Sequence, residues 1–282
     1  MSTVLPAASR LSLNQKTVNA LGLVEAVELC KRHDIESIGL WREPVAELGL
    51  ETAVDLVRRA GLRVSSLCRG GWFTTTGEAF TEALAENRQA VDEAAALGAD
   101  CLCLVVGGLP PGSKDLLGAR HQVARALDEL VPYAAERGVM FALEPMHPIF
   151  AADRGVLSTL AQALDLARDY PAETVGVMVD TYHVWWDPAL ADQVARAGAE
   201  GRIASYQVCD WVLPLAADAL LSRGQPGDGF IDFPAITRLV SEAGYRGDVE
   251  VEIFNAAVWA ADPDDTVTTM RRRFQELVAP NL

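Results

Sequence analysis

The sequence predicts a (β/α)8 barrel, a single TIM-barrel domain spanning residues 1–282. Three observations carry that prediction: short apolar runs alternate with longer amphipathic ones, breakers follow several of the amphipathic stretches, and no low-complexity linker divides the chain. The strands expected are Leu11–Leu13, Ser37–Leu40, Arg63–Leu67, Cys101–Val106, Met140–Leu143, Val175–Val179, Ile203–Val208 and Val249–Ile253. Helical periodicity covers Val24–His33, Leu50–Ala60, Ala79–Leu97, Asp115–Arg137, Leu157–Asp169, Pro234–Ala243 and Thr266–Leu277. Gly61, Gly98, Gly138 and Gly244 stand where left-handed helix stops belong. A doubly wound open sheet is the rival architecture, but no GxGxxG follows the first strand.

Half of the 282 residues are hydrophobic, ample for a large core. The formal net charge of −15 argues against nucleic acid or an anionic membrane as partner, since both would be repelled. The five cysteines (Cys30, Cys68, Cys101, Cys103, Cys209) are irregularly spaced and read as small buried hydrophobes in a reducing compartment. Residues 1–10 lack a leader pattern, and no apolar run is long enough to span a bilayer. The expected location is cytoplasmic.

In a (β/α)8 barrel the chemistry sits at the C-terminal ends of the strands. Glu144 follows the fifth apolar run, Asp180 the sixth, Gln207 falls near the end of the seventh and Glu252 near the end of the eighth. Each alone has an ordinary explanation as a helix cap. Three carboxylates converging on one mouth, however, would repel one another unless a cation neutralised them.

Leu143-Glu144-Pro145, Val179-Asp180-Thr181-Tyr182-His183, the Tyr206–Asp210 strand and Val251–Phe254 resemble motifs of the sugar phosphate isomerase/epimerase superfamily, the xylose-isomerase-like barrels. Arg223–Asp232 resembles that family's loop after strand seven. The resemblance, which runs over roughly residues 10–280, implies Glu144, Asp180, Gln207 and Glu252 as ligands of one divalent metal, with His183 and Arg223 touching substrate. Ketose 3-epimerases of the superfamily usually carry histidine where Gln207 stands. The all-oxygen set that results suits Mn²⁺, with Mg²⁺ or Co²⁺ as alternatives, better than zinc. Glutamine there resembles the dehydratase branch and deglycosidases acting on oxidised sugars. The scarcity of histidine (His33, His121, His147 and His183) speaks against the superfamily's DNA-repair branch.

A metal at the mouth would act as a Lewis acid toward a keto-sugar, with Glu144 and Glu252 serving as bases from different strands. His147, on the loop after strand five, is either a loop histidine held between Pro145 and Pro148 or a general acid in the cavity. All six tryptophans fall at or beyond expected strand ends, none of them mid-helix. Of these, Trp41, Trp72, Trp186 and Trp211 are expected to stack on substrate. No phosphate site is indicated, Arg69-Gly70-Gly71 being too short. The expected function is therefore a metal-dependent enzyme enolising a keto-sugar. The preferred branch is a lyase resembling the catalytic subunit of C-glycoside deglycosidases, an oligomer paired with a small β-subunit. The alternatives are a ketose 3-epimerase or aldose–ketose isomerase, an inosose or dehydroshikimate dehydratase, and a non-catalytic sugar-binding barrel.

Overall fold

Eight parallel strands close on themselves in the computed structural model, which describes residues 5–282. They are β1 (Leu11–Asn14), β2 (Ser37–Trp41), β3 (Arg63–Gly71), β4 (Leu102–Val105), β5 (Phe141–Leu143), β6 (Val175–Asp180), β7 (Ile203–Val208) and β8 (Val249–Val251). Closure comes from β8 pairing with β1, Leu11 opposite Val249 and Leu13 opposite Val251. A closed barrel leaves no unpaired strand edge, which is why eight apolar runs settle on this topology. Outside it stand an antiparallel ribbon of Asp210–Trp211 with Arg223–Gly224 and two isolated bridges, Val64 with Ala99 and Gly107 with Gly155.

The expected strands match within a few residues, except that β3 continues four residues further, to Gly71. The helix Leu50–Ala60 ends on Gly61 at φ +70°, and Glu78–Leu97 on Gly98 at φ +63°, so both glycines work as left-handed stops. Periodicity missed the helix Leu190–Ala199 and three shorter ones, Arg42–Leu48, Thr181–Val184 and Ala256–Ala260. Trp259 lies inside the last of these, so the expectation that no tryptophan is helical fails there. All five cysteines are buried and free. No helix of the described residues is long and apolar enough to cross a membrane.

The barrel interior departs from the aliphatic filling expected of it. Glu250, fully buried on β8, accepts from Asn14 Nδ2 at 2.5 Å, Ser65 Oγ at 2.5 Å, Ser66 Oγ at 2.8 Å and Gln207 Nε2 at 2.7 Å. Burial pushes its carboxyl above the ordinary range, and these four donors pull back toward the ionised form. Its space is made by Gly39 on β2, where a Cβ would lie 2.4 Å from Glu250 Cδ. Gly39→Ala should therefore overpack the interior and cost about 1–3 kcal/mol. Urea unfolding would show this as a lower midpoint with unchanged slope, and an unchanged midpoint would refute the account.

Candidate active site

Side chains alternate across a strand, so residues two apart share a face. Glu250 and Glu252 thus both point inward, Glu252 nearer the C-terminal mouth. Asp180 pairs in register with Gln207 and Gln207 with Glu250, which places the ends of β6, β7 and β8 side by side. Glu144 extends β5 by one residue into the same mouth. Glu144, Asp180, Gln207 and Glu252 are all buried there, as the strand-end reading expected.

The cluster's centre is Arg223. Its Nη1 donates to Glu252 Oε2 at 2.8 Å and to Asp180 Oδ2 at 3.0 Å, and its guanidinium lies over the rings of Tyr182 (4.8 Å) and Phe254 (5.1 Å). Arg223 does line the cavity, as a substrate contact should, but it is also ion-paired to two of the expected metal ligands. Sequence reasoning missed this second role. The loop carrying it is pinned by Asp210, whose carboxylate accepts from the backbone N–H groups of Trp211, Gly227, Gly229 and Ile231 at 2.8–3.0 Å. Gly229 is required there, because a Cβ would fall 2.0 Å from the Trp211 carbonyl oxygen.

One guanidinium does not neutralise this site. Burial first, and Asp180 next, push Glu144 up to about 7, and burial pushes Glu252 well above its ordinary range. Cys103 Sγ lies 3.7 Å from Glu144 Oε2.

His183 is fully buried, with Nδ1 accepting from the His147 backbone N–H at 3.2 Å. Nε2 faces a second donor, Arg223 Nη2 at 3.0 Å, so each ring nitrogen has a donor before it and a neutral imidazole can accept from only one of them. Burial, and then the neighbouring Arg223, keep the ring neutral. Nε2 lies 3.7 Å from both Glu144 and Asp180 and 3.0 Å from Arg223 Nη2. Glu144, Asp180 and His183 bring donor atoms within 4.8 Å of one another, a grouping able to hold a metal ion. Nε2, however, already faces the Arg223 guanidinium at 3.0 Å. Ligation through Nε2 would put the Nδ1 proton against a backbone N–H.

A divalent ion fits the oxygen set better. Three buried carboxylates face one guanidinium, and Gln207 Oε1 is buried with no hydrogen-bond partner among the described residues. Such an orphaned acceptor is expensive unless a cation or donor meets it. Glu144, Asp180, Glu252 and Gln207 Oε1 would then hold the ion, a donor set suited to Mn²⁺ or Mg²⁺.

A cavity of about 190 Å³ opens above this floor. Glu144, Glu252, Arg223, Trp41 and Trp72 line it, joined by Lys16, Arg69 and Arg154, which sequence reasoning did not single out. His147, Trp186 and Trp211 do not. The His147 ring stacks 4.8 Å from Trp211 and 5.5 Å from Trp186, and its Nδ1 accepts from the Ile149 N–H at 3.2 Å. The aromatic contact continues from Trp211 to Tyr182 at 4.7 Å, and Tyr182 in turn carries Arg223 on its ring. The Tyr182–Arg223 layer therefore intervenes between this cluster and the cavity. His147 as a cavity acid, and Trp186 and Trp211 as stacking surfaces, are corrected accordingly.

The family model for the xylose isomerase-like TIM barrel matches residues 17–276. The chain belongs to that family. The chain is similar to the inosose isomerase of Bacillus velezensis, 23% identical over 280 residues, covering 96% of this chain and 97% of that protein. A crystal structure of a Sinorhizobium meliloti 1021 protein is 45% identical with TM-score 0.93, covering 96% of this chain and 99% of that one. The IOLI protein, whose structure contains a bound zinc atom, shares the family's barrel at TM-score 0.80 and 19% identity, over 96% of this chain and 99% of that one.

The charge imbalance at the site has a consequence for metal-free protein. The folded state holds the Glu144 proton up to about pH 7, whereas an ordinary carboxyl releases it near 4.5. Its stabilising contribution is therefore complete at low pH and is lost as pH rises through that window. Melting temperature of chelator-treated protein should fall between those two pH values, and saturating Mn²⁺ should flatten or reverse the slope by favouring the ionised carboxylates. A flat metal-free profile, or one indifferent to Mn²⁺, would contradict the site as described.

Proposed function

We propose that this chain is a divalent-metal-dependent isomerase or epimerase that moves a proton beside the carbonyl of a keto-sugar or related cyclic polyol. One observation carries the reading: Glu144 and Glu252, from β5 and β8, are the only acidic side chains lining the cavity, while Asp180 and Gln207 lie below it. A substrate between the two would meet one carboxylate on each side. Glu144, buried at the end of β5 and on the cavity wall, is placed to exchange a proton with carbon. Glu252, fixed to Arg223 and Asn14 Nδ2 (3.0 Å), would take the opposite face. Arg223, which lines the cavity, presents donors toward the oxygen that gains negative charge. When bound by the oxygen set, Mn²⁺ (or Mg²⁺ or Co²⁺) supplies Lewis-acid polarisation of the keto and adjacent hydroxyl oxygens. The near full-length similarity to an inosose isomerase supports the substrate class.

The elimination branch, release of an aglycone from an oxidised glycoside, keeps the Gln207 oxygen set and the Trp41 and Trp72 rings but loses support from His147 and from Trp186 and Trp211. It needs a separate acid for the leaving group, and His147 faces the Trp186–Trp211 cluster instead. That cluster lies behind Tyr182 and not on the cavity wall. The small β-subunit goes with that branch.

Solvent exchange separates the branches. With Mn²⁺-loaded protein and keto-polyols in D₂O, deuterium should enter beside the carbonyl. Glu144→Gln and Glu252→Gln should each slow this by about 10²–10⁴-fold, while His147→Ala should stay within about tenfold of wild type. Should His147→Ala fall as far as the glutamate variants, elimination with an imidazole acid becomes the better reading. A Glu252→Gln protein that keeps both metal and exchange would end the proposal.

A further inference from the structure

The cavity's polar inventory is lopsided. Its charged lining groups are four cations, Lys16, Arg69, Arg154 and Arg223, and two carboxylates, Glu144 and Glu252. All the remaining lining side chains are aromatic, aliphatic or sulfur-bearing, with no amide or hydroxyl side chain among them. A neutral polyol offers hydroxyls that donate as well as accept, and such ligands are matched by groups of both kinds. Beyond the floor, this cavity offers only donors.

Two of those cations make no ion pair among the described residues, although Arg69 also borders a groove with Glu43, Glu86 and Glu93, the last two paired to Arg42. Arg69 makes no hydrogen bond or ion pair among the described residues, and its guanidinium rests 4.8 Å over the Trp72 ring. Lys16 reaches only the Asn19 side-chain oxygen at 3.1 Å, and its ammonium sits 4.7 Å over Trp41. Both are half-buried, and in a chain of net charge −15 with many free carboxylates neither is paired. Arg154 is paired with Asp218 at 3.0 Å and with Asp153 at 3.6 Å, although its Nε makes no hydrogen bond, so it is the least free of the three. The platforms are built into the barrel. Trp41 pairs in register with Cys68, the residue before Arg69, and Trp72 is held at φ +59°, a conformation costly for a tryptophan. Aromatic faces that hold two cations at a cavity rim fix their positions without neutralising them.

We propose that the substrate carries an anionic oxygen group, a carboxylate or a phosphate, and that Lys16 and Arg69, with Arg154 beside them, bind it at the rim while the reacting carbons lie between Glu144 and Glu252. This goes beyond the neutral-sugar expectation and revises the sequence reading in which Arg69 marked nothing. It rests on the reading of this cavity as the active site. The acceptor-only chemistry of such a group matches the donor-only rim, and charge-assisted bonds to it are the strong kind.

The test is equilibrium binding to the full-length Mn²⁺-loaded protein, by calorimetry and by tryptophan fluorescence, with three probes of one carbon skeleton. These are glucitol (neutral), gluconate (a carboxylate) and glucitol 6-phosphate. At least one anion should bind roughly tenfold or more tighter than glucitol, with the advantage shrinking as salt rises. Which anion gains says whether carboxylate or phosphate is the natural group. Lys16→Gln/Arg69→Gln, both at half-exposed positions, should keep its metal content and melting temperature and lose the advantage. Equal binding of all three probes, no binding of either anion, or an advantage that persists in the double variant overturns the proposal. Glu144 and Glu252 are intact throughout, so such a failure leaves exchange with neutral keto-polyols to be judged separately. Conversely, a failed exchange experiment leaves the anion preference readable by binding alone.

Discussion

Everything at the mouth of this barrel depends on how buried negative charge is held. Glu144, Asp180, Glu250 and Glu252 are each no more than 4% exposed, and they stand at the ends of neighbouring strands. Carboxylates taken out of water must be paired, hydrogen-bonded or protonated. The chain divides the task by depth. Glu250, lowest, is held by two serines, an asparagine and a glutamine; Asp180 and Glu252 share one guanidinium; Glu144 has none of its own and shifts toward the neutral form. Burial raises all four carboxyls, so what separates the structural carboxylate from those available for chemistry is its partners, hydrogen-bond donors in the one case and a shared guanidinium in the other.

The guanidinium itself is a product of the loop after β7. Arg223 can sit among three acids only if its backbone is fixed, and Asp210 fixes it through four N–H groups while the short ribbon sets the register of Trp211 with Arg223. Asn255 Nδ2 closes the arrangement by donating to the Arg223 carbonyl oxygen at 2.8 Å. A loop so tied on both flanks belongs to the rigid part of the site. Loss of Asp210 would therefore act on the carboxylates through Arg223, although Asp210 itself does not line the cavity.

How far the sequence announced this follows from which forces are local. Strand identity and the inward direction of Glu144, Asp180, Gln207 and Glu252 follow from apolar runs and a period of two, so both were legible. Glu250 was legible in principle, because Val249-Glu250-Val251-Glu252 repeats an acid on the inward face. The expectation of an aliphatic interior overrode it. His147 and Trp211 failed for a different reason: a residue just past a strand end can turn toward the axis or along the rim, and packing against Tyr182 decided for the rim. Arg223's place between Asp180 and Glu252 depends on contacts 29 to 43 residues away in sequence, which no spacing encodes. Lys16 and Arg69 were invisible because they are separated along the chain, and only the pairing of β1 with β2 and of β2 with β3 brings them to one rim.

An acidic protein that gathers four cations into one cavity is working against its own mean field. Dispersed surface charge of −15 repels anions at long range, but salt screens that repulsion over about 10 Å, while a half-buried rim is screened far less. Net charge therefore excludes extended polyanions such as nucleic acid without excluding a small anion that fits inside. Two of the four, Lys16 and Arg69, sit on tryptophan faces, while Arg154 and Arg223 stand beside carboxylates. A neighbouring acid cancels a cation, whereas a ring quadrupole stabilises it and leaves its charge free to act. Below them the order is reversed, with acids in excess and a single guanidinium. The cavity is thus polar along its axis, cationic at the entrance and anionic at the floor. A molecule with an anionic end and a carbonyl beside hydroxyls would enter in one orientation only, its carbonyl end between Glu144 and Glu252.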